Sequence, residues 1–139
     1  MERMIQTLML KEHENLDSLL EKFKGDASNM GLFNKFKWNL EKHFFMEEKA
    51  IFDLYNKIKG EDIPIIFDLM EQHGRILELV KDVEDAIDGE RIEDIEELKN
   101  LLISHRQGED RDFYPELDED LTPEQKIEMK KRIEDRLRG

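Results

Sequence analysis

The chain has 139 residues and no cysteine, with 41% charged and 38% hydrophobic residues. This length fits one domain with a single core, and the missing cysteine rules out disulfides, thiolate metal sites, iron–sulfur clusters and cysteine nucleophiles. With 35 acidic against 22 basic residues and a net charge of −13, nucleic acid is not an expected partner, and so polar a chain must show its fold through periodicity rather than hydrophobic content.

The opening MERMIQTLMLKEHE has acids on both sides of a short apolar stretch and does not read as a signal peptide. The apolar run Ile63 to Phe67 is far short of the ~20 residues of a membrane helix. A soluble cytoplasmic protein is expected. Breaks at Gly25 to Gly31, Lys59 to Pro64, Asp88-Gly89 and Pro115 leave four long segments, none with the alternation of a strand. In the first, Ile5, Leu8, Met9, Leu16, Leu19, Leu20 and Phe23 recur at helical spacing. The second places Leu32, Phe36, Leu40, Phe44, Ile51 and Leu54 likewise. The third carries Ile66, Leu69, Met70, Ile76, Leu77, Val80, Val83 and Ile87, and the fourth Ile92, Ile95, Leu98, Leu101 and Leu102. Asp62 is a candidate cap for the third helix and Asp88-Gly89 a helix-to-helix turn. Thr122-Pro123-Glu124-Gln125 is a capping box that starts a short fifth helix ending near Arg138. The expected fold is all-α, an up-down-up-down four-helix bundle over 1–117 with a C-terminal extension, 118–139, carrying that fifth helix.

Each long segment carries one histidine well inside it: His13, His43, His73 and His105. Glu47 follows His43, and Glu109 follows His105, at i+4. Four residues rise ~6 Å along one helix face, so each pair can reach the same point of a bundle core. The chain also repeats. Glu12-His13-x-x-Leu16 with His43-x-x-x-Glu47-Glu48-x-x-Ile51-Phe52 parallels Gln72-His73-x-x-Ile76 with His105-x-x-x-Glu109-Asp110-x-x-Phe113-Tyr114. Two such hairpins face to face place four imidazoles and two carboxylates around the axis, a ligand set for two metal ions. Imidazole and carboxylate without thiolate suit iron, manganese or zinc, and bundles commonly hold two irons through bridging carboxylates.

With His13, HFFMEEKAIF (43–52), His73 and HRQGEDRDFYP (105–115), the sequence resembles the hemerythrin-like, or HHE cation-binding, family over about residues 5–117. The resemblance implies a carboxylate-bridged non-haem di-iron centre. One iron would be bound by His13 and His43, the other by His73 and His105, with Glu47 and Glu109 bridging. It also implies dioxygen, nitric oxide or peroxide as the small ligand. Oxygen-carrying members have a further histidine one turn on in the third helix, where this chain has Leu77. Four histidines then leave an open position on each iron, which suits sensing, redox reaction or metal exchange more than reversible carriage. Carriers use an aspartate five residues after the fourth-helix histidine. Asp110 stands there, while the repeat of the Glu47 spacing favours Glu109.

Other features read as structural. Asp17, at i+4 from His13, is expected on a solvated face, and the distal part of the acidic stretch Glu109 to Asp120 as solvated surface. Trp38, Phe44, Phe45 and Met46 read as core packing. Tyr55 and Tyr114 read equally as ligands' hydrogen-bond partners or as residues of the bundle end. Gly74 and Gly108, costly inside helices, are candidates for leaving ligand room beside His73 and His105. Two functions remain open: a di-iron protein binding or reacting with a small ligand, as sensor or oxidoreductase, or a metal-responsive helical module that contacts a protein partner.

Overall fold

A computed structural model describes residues 3–86 and 92–138, with the side chains of 92 and 93 outside the description. The expected Asp88-Gly89 turn and the core position Ile87 therefore lie outside the described residues, as does the side chain of Ile92. The described residues form helices and no strands: α1 Met4–Gly25, α2 Met30–Met46, a π-helical stretch Glu47–Phe52, α3 Asp53–Lys59, α4 Pro64–Asp85, α5 Ile92–Gly108, a second π-helical stretch Glu109–Phe113, α6 Tyr114–Asp120 and α7 Pro123–Arg138. Each π stretch joins the helices beside it, so the described residues form five rods, four long ones packed as a bundle and α7 packed against the first two.

The apolar stripes sort into two clusters. Ile5 and Met9 of α1, Met46, Ile51 and Phe52 of the second rod, Ile66 and Leu69 of α4, and Phe113 and Leu117 of the fourth rod fill one end. Leu16, Leu20 and Phe23, then Phe33, Phe36 and Leu40, then Ile76, Val80 and Val83, and finally Ile95, Leu98 and Leu102 fill the other. The order in which each rod visits the two clusters reverses from rod to rod, as up-down-up-down topology requires. Between the clusters lies one layer of polar side chains, and all four histidines are in it.

The fifth helix starts as its capping box predicts. Gln125 N–H donates to Thr122 Oγ1 at 3.2 Å, and Thr122 N–H donates to Gln125 Oε1 at 2.9 Å. Met129 and Ile133 are fully buried in the first cluster. Asn29 caps α2, its Oδ1 accepting from Leu32 N–H at 3.1 Å.

Several expectations are corrected. Asp62 does not cap α4: Pro64 occupies the first turn, where its missing N–H costs nothing, so Ile63 becomes the cap residue. Pro115 does not end the fourth rod. It falls in the first turn of α6, after a π turn closed by Tyr114 N–H to Glu109 O, and the helix runs on to Asp120. The distal acids are not all solvated. Asp118 is buried and accepts from Ile5 N–H at 3.1 Å and Gln6 N–H at 2.8 Å, supplying the start of α1 with the acceptors it lacks locally. Met70, Trp38 and Phe45 are exposed, the last two at 60% and 52%, whereas their neighbours Phe44 and Met46 are buried. On a helix, residues one apart point ~100° from each other, so the run Phe44-Phe45-Met46 cannot all face inward.

Candidate metal centre

The π stretches explain how the site is aimed. Each begins at a glutamate of the repeat, Glu47 or Glu109, and contains a bond across five residues, Asp53 N–H to Glu48 O and Tyr114 N–H to Glu109 O. Within the first stretch Ala50, Ile51 and Phe52 are all buried in succession. Such insertions recur at functional sites because they re-aim side chains without breaking the helix.

His13, His43, His73, His105, Glu47 and Glu109 are all buried, none more than 4% exposed. One ligand atom from each of His13, His43, Glu47 and Glu109 lies within 4.8 Å of the others, and the same holds for Glu47, His73, His105 and Glu109. Each glutamate touches both groups. Glu47 Oε1 is 3.2 Å from Nε2 of both His43 and His73. Glu109 Oε1 is 3.2 Å from His13 Nε2 and 3.5 Å from His105 Nε2.

The outward nitrogens are held by a second ring of acceptors. His13 Nδ1 lies 3.1 Å from Asp110 Oδ1, His73 Nδ1 2.8 Å from Glu48 Oε2, and His105 Nδ1 2.7 Å from Gln72 Oε1. His43 Nδ1 faces Glu12 Oε1 at 3.6 Å, beyond direct hydrogen-bond reach. These partners turn each Nε2 lone pair inward. Glu109 is thus in the inner cluster and Asp110 in the outer ring. Tyr114, fully buried, donates its hydroxyl to Glu47 Oε2. Tyr55 instead donates to Asp120 at 2.8 Å, at the bundle end. Phe44 stacks on the His73 ring, 3.8 Å between centroids and 10° from parallel.

Protonation within the cluster follows from this wiring. Burial disfavours a charged His43, yet Glu47 and Glu12 outweigh it and raise it to about 9. Burial likewise opposes charge at His73, and Glu47 and Glu48 reverse it upward. At His105 burial wins: Glu47 offsets it only in part, the other imidazoles reinforce it, and the group falls to about 3. Its outer partner, Gln72, is the neutral one of the four. Burial would also lift Glu47, but His43, Glu109 and His73 hold it well below the carboxylate range. At Glu109, burial and the Glu47 charge push the carboxyl well above. The pair therefore keeps a proton on Glu109.

The Nε2 atoms of all four histidines, Glu47 Oε1 and both Glu109 carboxylate oxygens are buried with no hydrogen-bond partner. Buried polar atoms are nearly always satisfied, so a converging set of orphans marks a place built for a further group. Six nitrogen and oxygen side chains without thiolate fit a metal cation. The sequence profile described as "Hemerythrin HHE cation binding domain" matches residues 4–117, and the chain belongs to that family. Neither curated proteins nor solved structures give a match.

Sequence reasoning missed the outer ring and the Tyr114 hydroxyl contact. The signal was in the repeat: the doublets Glu12-His13 and Gln72-His73, and Glu47-Glu48 and Glu109-Asp110, each set one acceptor beside one inner residue. Gly74 and Gly108 do not make ligand room. A Cβ at either would meet nothing within 4 Å, and neither lines the small space beside the cluster. That space, about 20 Å³ among His13, His43, His105, Phe44, Leu16, Leu102, Asp17, Arg106 and Glu109, is enough for one water-sized molecule. Leu77, where a fifth histidine would stand, packs with the second apolar cluster. Asp17 is only partly solvated and is paired with Arg106.

Proposed function

We propose that this chain is a non-haem di-iron protein that binds or reacts with dioxygen, nitric oxide or peroxide, in sensing or in a redox or iron stress response. His13 and His43 would hold one ion, His73 and His105 the other, with Glu47 and Glu109 bridging. The observation that carries this reading is the set of buried ligand atoms without partners, arranged as two groups that share both glutamates. Manganese and zinc meet the same donors, and iron is favoured by the carboxylate-bridged bundle. When bound, the ions supply exchangeable electrons and open positions for a small ligand.

The chain's own residues do the rest. Asp110, Glu48 and Gln72 hold the imidazoles of His13, His73 and His105 in place. Tyr114 orients Glu47. Phe44 and Phe52, whose ring centroid is 5.7 Å from that of His73, keep water from that imidazole. Residues 1–117 would form the metal-holding unit and 118–139 an extension that braces it through Asp118 and α7. Among the described residues no helix is long and apolar enough to cross a membrane, which is consistent with a cytoplasmic role.

The test is metal analysis with absorption spectroscopy on the full chain. About two irons per chain, with charge-transfer bands that respond to azide or nitric oxide, is the expected result, and one zinc or a colourless protein would refute it. A second reading, a metal-responsive module that contacts a protein partner, draws support from the exposed Trp38 and Phe45 on the helix that carries His43. Trp38 is the single tryptophan, so its emission reports on that face. Identical emission and partner binding with and without metal would remove this reading.

A further inference from the structure

Two spaces meet at one ion pair. The inner one, beside His13, His43 and His105, is walled by Leu16, Phe44 and Leu102 and also by Asp17 and Arg106. An outer groove of about 190 Å³ between α1 and α5 is lined by the same Asp17 and Arg106, with Glu21 and Lys99 further out. Arg106 Nη1 lies 2.6 Å from Asp17 Oδ2, the two side chains being 29% and 35% exposed. We propose that the Asp17–Arg106 pair is the gate by which a small ligand reaches the metal centre, and that Arg106 positions an anionic ligand there through its Nε–H. The proposal rests on the reading of the cluster as a metal site.

Three observations carry it. The pair is the element common to both spaces, so parting it joins them. It is also the kind of bond that parts readily: a half-exposed ion pair is weak, because water competes for both ends and two long side chains lose freedom in forming it. Third, the guanidinium is only partly used. Its Nη1 serves Asp17, while its Nε is buried and has no acceptor. A buried N–H without a partner is costly, and a ligand with a negatively charged acceptor atom would satisfy it. Arg106 lines the inner space together with His13, His43 and His105, so a molecule held by Arg106 there stays near the cluster. With the pair closed the inner space holds about one water-sized molecule, so a two- or three-atom anion such as peroxide or azide enters only as the pair parts, and organic acids are too large.

The test uses the iron-loaded full chain, with azide and nitric oxide as probes in stopped-flow and equilibrium titrations. D17N frees Arg106 and removes the closed pair. Azide association should then quicken about threefold, since an exposed pair contributes at most a factor of a few. R106K keeps the charge and can still meet Asp17 but has no Nε. It should weaken azide about tenfold, the usual effect of one hydrogen bond to a charged group, while changing nitric oxide, neutral when free, less than twofold. Iron content and thermal midpoint are measured alongside. Azide and nitric oxide weakened equally, or azide lost together with iron, would overturn the positioning role. If the wild type binds no metal or shows no azide response, the metal reading falls and this proposal with it. If the centre responds to azide normally but both variants match the wild type, the gate and the positioning role both fall and the metal reading stands.

Discussion

Removing the metal should cost the fold a large part of its stability. Seven polar atoms at the centre, four imidazole Nε2 and three carboxylate oxygens, have no hydrogen-bond partner. Each unsatisfied buried group costs ~1–3 kcal/mol. Proton uptake relieves some of this in the metal-free chain, because Glu109 keeps a proton and His43 is raised to about 9. What remains is still several kcal/mol. Linkage arrives at a similar size: an ion at a thousand times its Kd stabilises the folded state by ~4 kcal/mol. With an unfolding entropy of ~2 cal/mol/K per residue, a chain of this length loses about 14 °C in Tm for that change. Calorimetry of the chelator-stripped and the reloaded chain, at one protein concentration and pH, measures it. Midpoints agreeing within ~2 °C would mean that the polar layer is stable unaided, and the argument from orphaned atoms would be wrong.

Three further outcomes test the wiring. E48A removes the 2.8 Å acceptor of His73 Nδ1 and should lower metal affinity ~10- to 100-fold in a competition titration, as loss of an outer-ring partner does; unchanged affinity would show that ring to be incidental. Y114F keeps the ring packed 5.0 Å from Phe113 but removes the donor to Glu47, so the metal-free chain should lose ~1–2 kcal/mol in urea unfolding while iron content stays at the wild-type value. Metal binding should release protons and weaken as pH falls. The metal-free site holds its protons at His43, raised to about 9, and at Glu109, pushed well above the carboxylate range. At pH 7 the metal must displace them, and affinity should rise with pH up to about 9. Calorimetric titration in buffers of different ionisation enthalpy reads the released protons directly, and none released would contradict the assigned protonation.

The amino-acid sequence alone determined the long elements and the inner cluster, because both are written in short-range periodicity. Apolar spacing of three and four specifies a helical stripe wherever it occurs, and an i+4 His–Glu pair shares a face in any helix. The capping box at Thr122 to Gln125 is likewise local chemistry and appears where it was read. Features that depend on a residue's neighbours across the bundle were not legible in this way. Trp38 and Phe45 are as apolar as Phe44, and only the packing of the other rods decides which of them meets a partner. Asp118 looks like one more surface acid until α6 brings it to the first backbone N–H groups of α1. The repeated His–Glu spacing alone favours Glu109 over Asp110, but the contact of Asp110 with His13 Nδ1 crosses from one rod to another and no spacing reveals it. The Asp17–Arg106 pair joins residues 89 positions apart in the chain, and no local pattern links them. Local pattern set which side chains turn inward; the tertiary structure decided what each one meets there, because that meeting depends on long-range packing.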